Sequence, residues 1–235
     1  MFETAVRDRI CQVSREGARW LSTAWDGGYR ESDAVYNVAV PTGFERTDLD
    51  AYREERLADA GFPVGPTLLT GVDMAHARCA RSGPVSALAT AGLSNPAVLP
   101  MDGRVATGRE AAPDTAAEDW RPGTVNVVVG VDRALDDGAL ATLLATAVEA
   151  KAATLLDAAG VPGTTSDAAI VGCVPEAERA PFAGSATEVG AATRACVRDA
   201  VRASLAARYD EEAVPTVEEA AHGVVTDRQT DVGKP

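Results

Sequence analysis

The sequence predicts an α/β fold, a single layered domain in which helices pack on a mixed β-sheet. Three observations lead there. The β-branched runs TVNVVVGV (124–131) and AAIVGCV (168–174) have the length and composition of buried strands. Between them lies a long helical period that opens at Asp137-Gly138 and stops at Gly160. Strands and helices alternate along the chain, which favours packed layers; alternation alone fits a parallel or a mixed sheet. With 235 residues, 46% of them hydrophobic, the chain has enough apolar surface to close a core.

In chain order, residues 18–24 (ARWLSTA) read as a strand ending at the turn DGG (26–28), and residues 34–40 (AVYNVAV) as a second strand stopped by Pro41. A helix follows, with Thr47 as N-cap, Asp50 three residues later and Gly61 as its stop. Residues 72–80 read as a short helix and 84–93 as a strand that runs into the turn SNP. Residues 101–122 lose apolar periodicity and read as a surface loop within one domain. In the strand 124–131, Val125, Val127, Val129 and Val131 share one face, and Thr124, Asn126 and Val128 the other. The strand is expected to be central, with the helix 138–159 lying on it. Ser185 with Glu188 forms a capping box for a third helix over roughly 186–208. Residues 1–209 therefore read as the catalytic domain, and the acidic, proline-broken stretch 210–235 as a disordered tail.

Lys plus Arg is 22 and Asp plus Glu is 35, a formal charge of −13. That balance argues against nucleic acid and against anionic membranes as partners. Lysine occurs only at Lys151 and Lys234, and an acid-rich, lysine-poor chain fits a host with concentrated cytoplasmic salt, where self-repulsion is screened. Cys11, Cys79, Cys173 and Cys196 include no CxxC pair and read as buried free thiols of a reducing compartment. The N-terminus MFETAVRDRI lacks the apolar core of a signal peptide, so the expected location is the cytoplasm. His76 and His222 are the only histidines, and neither a GxSxG elbow, a P-loop, a GxGxxG fingerprint nor zinc-ligand spacing is present. No cofactor or metal is expected, and oligomerisation is left open.

Lys151 falls at the centre of the apolar stripe of its helix, among Leu144, Ala147, Val148 and Leu155. It is either a snorkelling lysine or a group at a functional site, since a lysine aimed at a core needs a partner. Thr124 is the best-placed hydroxyl for a nucleophile, and Asn126, on the same strand face, could donate to an oxyanion. Both could equally be strand-edge polarity. Asp167, at the end of the GTTSD turn (163–167), could orient the lysine or a leaving amine. Aromatic residues crowd between Trp20 and Tyr52. Trp25, Asp26 and Tyr29 could floor a large planar ligand, with Asn37, Asn95 and Glu188 as polar contacts, or the aromatic rings could form a local core.

Seven stretches, in order and spacing, resemble the adenosylcobinamide amidohydrolase family. They are LSTAWDGGY (21–29), VYNVAVPTGF (35–44), LTGVDM (69–74), AGLSNPA (91–97), GTVNVVVGVDRALDDGAL (123–140), EAKAATLLDAAGVPGTTSD (149–167) and GSATEVGAATRACVRDAV (184–201). The resemblance spans roughly residues 18–205. It implies a corrinoid substrate and hydrolysis of the amide between the corrin propionyl arm and aminopropanol, in cobalamin salvage. The cobalt belongs to that substrate. A shorter similarity links GTVNVVVGVD to the catalytic segment of self-cleaving aminopeptidases and ornithine acetyltransferase relatives, and would make Thr124 a new N-terminus. An N-terminal-nucleophile amidase and a non-catalytic corrinoid carrier are thus the alternatives.

Overall fold

The computed structural model describes residues 1–101, 124–210, 214, 220, 223–228 and 230–235. The strands are β1 (Glu3–Arg7), β2 (Ile10–Ser14), β3 (Arg19–Ser22), β4 (Gly28–Glu31), β5 (Ala34–Ala39), β6 (Thr67–Thr70), β7 (Arg78–Ser82), β8 (Val85–Ala91), β9 (Ala97–Val98), β10 (Val125–Val131), β11 (Ala168–Cys173) and β12 (Val224–Val225). The helices are α1 (Leu49–Asp59), α2 (Asp137–Ala159) and α3 (Glu188–Arg208).

The α/β class and the mixed pairing hold, but the strands divide between two main sheets. One has the order β1-β2-β5-β6 and the other β4-β3-β11-β10-β8-β7. Each contains one parallel pair, β5 with β6 and β10 with β11, and α1 and α2 are the crossovers between those pairs. Side-chain alternation sorts the layers. Tyr36 and Val38 of β5 face Leu57 and Ala60 outside, whereas Val35 and Ala39 face Trp20, Val128 and Ile170 of the second sheet. The four valines of β10 meet Leu140, Leu143 and Val197 on its other side. The layers therefore run helix, sheet, sheet, helix pair. β10 is central, as expected. α2 lies chiefly over β11 and α3 over β8 and β7, so the valines of β10 fill the seam between the helices.

The sheets approach closely where β10 and β11 carry the register pair Gly130 and Gly172. A Cβ at Gly130 would overlap the Phe2 ring and one at Gly172 the Trp20 ring. Those two rings meet edge to face, with centroids 5.3 Å apart.

Several local expectations change. α1 is capped by Asp48 and not Thr47, and the Asp48 carboxylate is drawn to Arg46 (2.6 Å) instead of to a helical N–H. Within 72–80 only Met74–His76 forms a helical turn, of the 3-10 type; Arg78–Ser82 is an edge strand. α3 is capped by Thr187, which accepts from Gly190 N at 3.0 Å; Ser185 stands too early, before the chain turns extended at Thr187. Cys79 is exposed, while the other three thiols are buried. Part of 210–235 is docked, because β12 pairs in parallel with β9 and Val214 packs on the core. The expected loop 101–122 lies almost wholly outside the described residues. α2 is long and apolar enough to cross a membrane by length and composition, yet half of that stretch is buried within the fold.

Candidate active site

One end of the sandwich collects polar residues that the core would normally reject. There β3, β5, β6 and β8 finish, and β10 and β11 begin. Asn37, Thr70, Thr90, Asn95, Thr124, Asn126, Lys151 and Thr164 are all buried at this end. Buried polar groups must be partnered, and most of these partner one another.

Asp167 is the hub. Its Oδ2 receives the Lys151 ammonium and Thr164 N (3.1 Å), and its Oδ1 receives Val125 N (2.8 Å) and the Thr164 hydroxyl. The Lys151 and Asp167 side chains are only 10% and 12% exposed. Such a pair is tolerated because the extra donors offset the lost hydration. The turn 163–167 is shaped for it, since a Cβ at Gly163 would stand 2.6 Å from Asp167 Oδ2 and 3.3 Å from Lys151 Nζ. By holding Val125 N–H, Asp167 also fixes the first residue of β10. Thr124 immediately precedes it, and its hydroxyl lies 2.9 Å from the Ser166 hydroxyl. On the other side of the turn, Asn95 Nδ2 donates to Thr165 Oγ1 at 2.6 Å.

A second network crosses between the sheets. Asn126 Nδ2 donates to Asn37 Oδ1 (3.0 Å) and to Leu69 O (2.9 Å), and Asn37 Nδ2 donates to Thr90 Oγ1 (2.9 Å). Both N–H groups of Asn126 are thereby committed, so it staples the sheets and has no donor left for an oxyanion. Its Oδ1 is buried without a hydrogen-bond partner among the described residues.

The structure thus brings together Thr124, Asn126, Lys151, Asp167, Asn37 and Asn95. Lys151 bonds to Asp167 and not to Thr124, because α2 covers the valine side of the sheet. Asp167 does orient the lysine. Its four hydrogen bonds occupy the lone-pair positions of the carboxylate, leaving none for a substrate proton.

The expected planar floor does not assemble. Trp25 stands 60% exposed in the β3–β4 turn. Asp26, in the left-handed region at φ 52°, pairs with Arg30 (3.3 Å) and Arg53 (3.5 Å). Tyr29 runs the other way, donating its hydroxyl to Asp137 O at 3.0 Å under the Arg19 guanidinium. Asp137 opens α2 and Lys151 lies fourteen residues on, a separation of roughly 21 Å along the helix. Glu188 also belongs to the far end. It opens α3, exposed, 3.8 Å from Arg133, whereas Ser204, further along α3, is the residue that holds Ala91 N at the Thr124 end. Thr164 and Ser166 fall within the turn already singled out. Arg208 and Tyr209, which meet the same end from the last turn of α3, carried no sequence signal.

A family model described as adenosylcobinamide amidohydrolase matches residues 2–213. A curated protein of that name from Halobacterium salinarum is 54% identical over 238 residues, covering all of both chains. Another of that name, from Methanosarcina mazei, is 27% identical over 199 residues, covering 80% of this chain and 90% of its own. Two solved structures are looser likenesses. The PH0078 protein of Pyrococcus horikoshii OT3 aligns at a TM-score of 0.46 and 11% identity, over 87% of this chain and 82% of its own. The L-aminopeptidase D-Ala-esterase/amidase of Ochrobactrum anthropi aligns at 0.40 and 13%, over 88% and 83%.

Proposed function

Because the chain belongs to the adenosylcobinamide amidohydrolase family, we propose that it cleaves the amide joining the corrin propionyl arm to aminopropanol in adenosylcobinamide. Water is consumed, and the products are adenosylcobyric acid and 1-amino-2-propanol. The acid re-enters cobalamin assembly, so the reaction is a salvage step in the cytoplasm. Residues 1–209 act as the catalytic unit, and no cofactor beyond the substrate's own cobalt is required. The −13 charge and the Halobacterium relative support a host with salty cytoplasm.

The family match over residues 2–213 supports the reaction. One observation carries its placement, the Asp167-centred cluster set directly against Thr124. In this reading the Thr124 hydroxyl attacks the amide carbonyl. An acyl–oxygen bond forms, the carbon–nitrogen bond breaks, and the hydroxyl proton leaves through Ser166 toward the departing amine. Water then hydrolyses the ester and restores the hydroxyl. Lys151, paired with Asp167, locks the turn that carries Ser166, and Asn126 and Asn37 keep the sheets in register beneath Thr124. Trp25 and Asp26 stand at the rim nearest the corrin ring.

A second reading is favoured by two facts. Thr124 is fully buried, and the Asp167 carboxylate has no acceptor position to spare. Cleavage before Thr124 would uncover its hydroxyl and create an α-amine as base. Incubating pure protein with adenosylcobinamide and assaying aminopropanol tests the main proposal. Release supports it. Binding without release leaves a carrier. Intact mass, read alongside, detects a new N-terminus at Thr124.

A further inference from the structure

At the same end, α3 delivers a pair of donors that the other described residues do not use. Arg208 is the last residue of α3, half-buried, and its Nε donates to Tyr209 Oη at 3.3 Å. Leu93 N also donates to that oxygen, at 3.0 Å. The phenol therefore accepts twice, and its own proton has no acceptor among the described residues. Nor does any carboxylate among them pair with Arg208, in a chain where acids outnumber bases 35 to 22. Nη1 and Nη2 are left pointing at nothing that the described residues supply.

The position of this group is read from the glycine it packs against. A Cβ on Gly92 would touch Arg208 Nε at 3.4 Å, an ordinary packing distance, so the guanidinium lies against the Cβ side of Gly92; the same Cβ would crowd Val72 Cγ2 at 2.9 Å. Gly92 N in turn donates to Thr124 O at 3.1 Å, which continues the β8–β10 ladder by one residue beyond Val125 and Ala91. Facing residues of an antiparallel pair direct their side chains to the same side, with Cβ atoms roughly 5 Å apart. The guanidinium thus stands on the Thr124 side-chain face, within roughly 9 Å of its Cβ by those two steps. A carbonyl attacked by Thr124 would meet the guanidinium from that face.

We propose that Arg208, backed by Tyr209, receives the oxygen of the scissile carbonyl and then grips the carboxylate that hydrolysis creates. This rests on the amidohydrolase reading and on Thr124 as the attacking group. A neutral amide offers one carbonyl oxygen. The tetrahedral intermediate and the acid product carry negative charge, which a planar guanidinium meets with two parallel N–H groups. Arg208 is then a catalytic residue that discriminates product from substrate.

The test compares adenosylcobinamide as substrate with adenosylcobyric acid as inhibitor. In Arg208→Met, kcat should fall on the order of 10²-fold and inhibition by the acid should weaken about tenfold or more, with KM for the amide changed less than about threefold. Added guanidinium ion should restore part of the activity to Arg208→Ala. Arg208→Lys keeps the stem and the charge, so it guards against a folding defect. It should melt as the wild type does and still lose affinity for the acid, because an ammonium lacks the planar fork. Wild-type turnover together with unchanged kcat and acid inhibition in Arg208→Met overturns the inference alone. An equal loss for amide and acid marks a packing residue and also overturns it. Wild-type protein that releases no aminopropanol overturns the amidohydrolase reading itself, and does so before any variant is made.

Discussion

At the Thr124 end of the sandwich one ion pair, Lys151–Asp167, is almost wholly buried and tied into backbone and hydroxyl hydrogen bonds. At the opposite end Arg19–Asp137, Arg179–Asp136 and Arg133–Glu188 also join helix starts to loops and strands, yet each has a partner at least half exposed. The same chemical pairing therefore has different consequences. Exposed pairs exchange one set of hydrated states for another and contribute little. The buried pair has no solvent to return to, so losing one member strands the other. Charge at the far end solubilises an acidic protein; charge at the Thr124 end fixes a geometry.

The largest effect should come from Asp167→Ala. It strands the Lys151 ammonium and the Val125 and Thr164 donors, and is expected to cost about 3–5 kcal/mol in denaturant unfolding along with all measurable activity. The double variant Lys151→Met/Asp167→Leu should recover much of that stability but none of the activity. A loss below about 1 kcal/mol for the single variant would erase the distinction between the ends. Thr124→Ala should follow, with kcat down on the order of 10²-fold and stability changed by about 1 kcal/mol or less, read by aminopropanol release and by unfolding. Near-normal turnover would shift the chemistry to a water directed by Lys151.

Gly130→Ala separates stability from the site. Its Cβ would overlap Phe2 between the sheets, so it should lose about 1–3 kcal/mol while kcat per folded molecule is kept. Cys11 gives a pH test of the same layer. Burial raises its thiol to about 12, against an ordinary value near 9, because the thiolate is penalised there. Below pH 9 the folded and unfolded thiols are both protonated. Between 9 and about 12 the unfolded state alone loses the proton, so stability should decline with rising pH across that window. Cys11→Ala should flatten the slope of unfolding free energy there. The smallest effect should be that of Glu188→Gln at the far end, under about 1 kcal/mol, with kcat and KM unchanged. A clear loss of activity would return Glu188 to the site.

The strand 124–131, α2 with its stop at Gly160 and the strand at 168–174 were legible because each carries its own period and its own punctuation. The β1–β2 hairpin was not. Its two-residue turn, Asp8-Arg9, adopts positive φ at both positions (51° and 64°) without the glycine or asparagine that usually marks such a turn. β7 was misread as helix because an exposed edge strand, RCARS, shows no apolar alternation. In the candidate site, the pairing of Lys151 with Asp167 was legible because a charged residue on an apolar stripe, and a carboxylate in a turn of hydroxyls, are each anomalous locally. Tyr29 was misassigned because its neighbour Trp25 is close in sequence, whereas a turn and an edge strand direct the two rings apart.

The sequence by itself determined the α/β class, the main helices, the valine face of β10 and the presence of a lysine that needed an acid. Those are properties of single segments, set by periodicity and by the cost of burying a charge. Only the tertiary structure decided that the strands form two sheets, that Asn126 spends its donors between them, and that Tyr29 and Glu188 belong to the far end. It also brought Arg208 and Thr124 to the same glycine, Gly92, which is more than a hundred positions removed from the one and thirty-odd from the other. Such facts depend on which backbone passes next to which. That is settled by the packing of whole faces against one another, not by the pattern within any one segment.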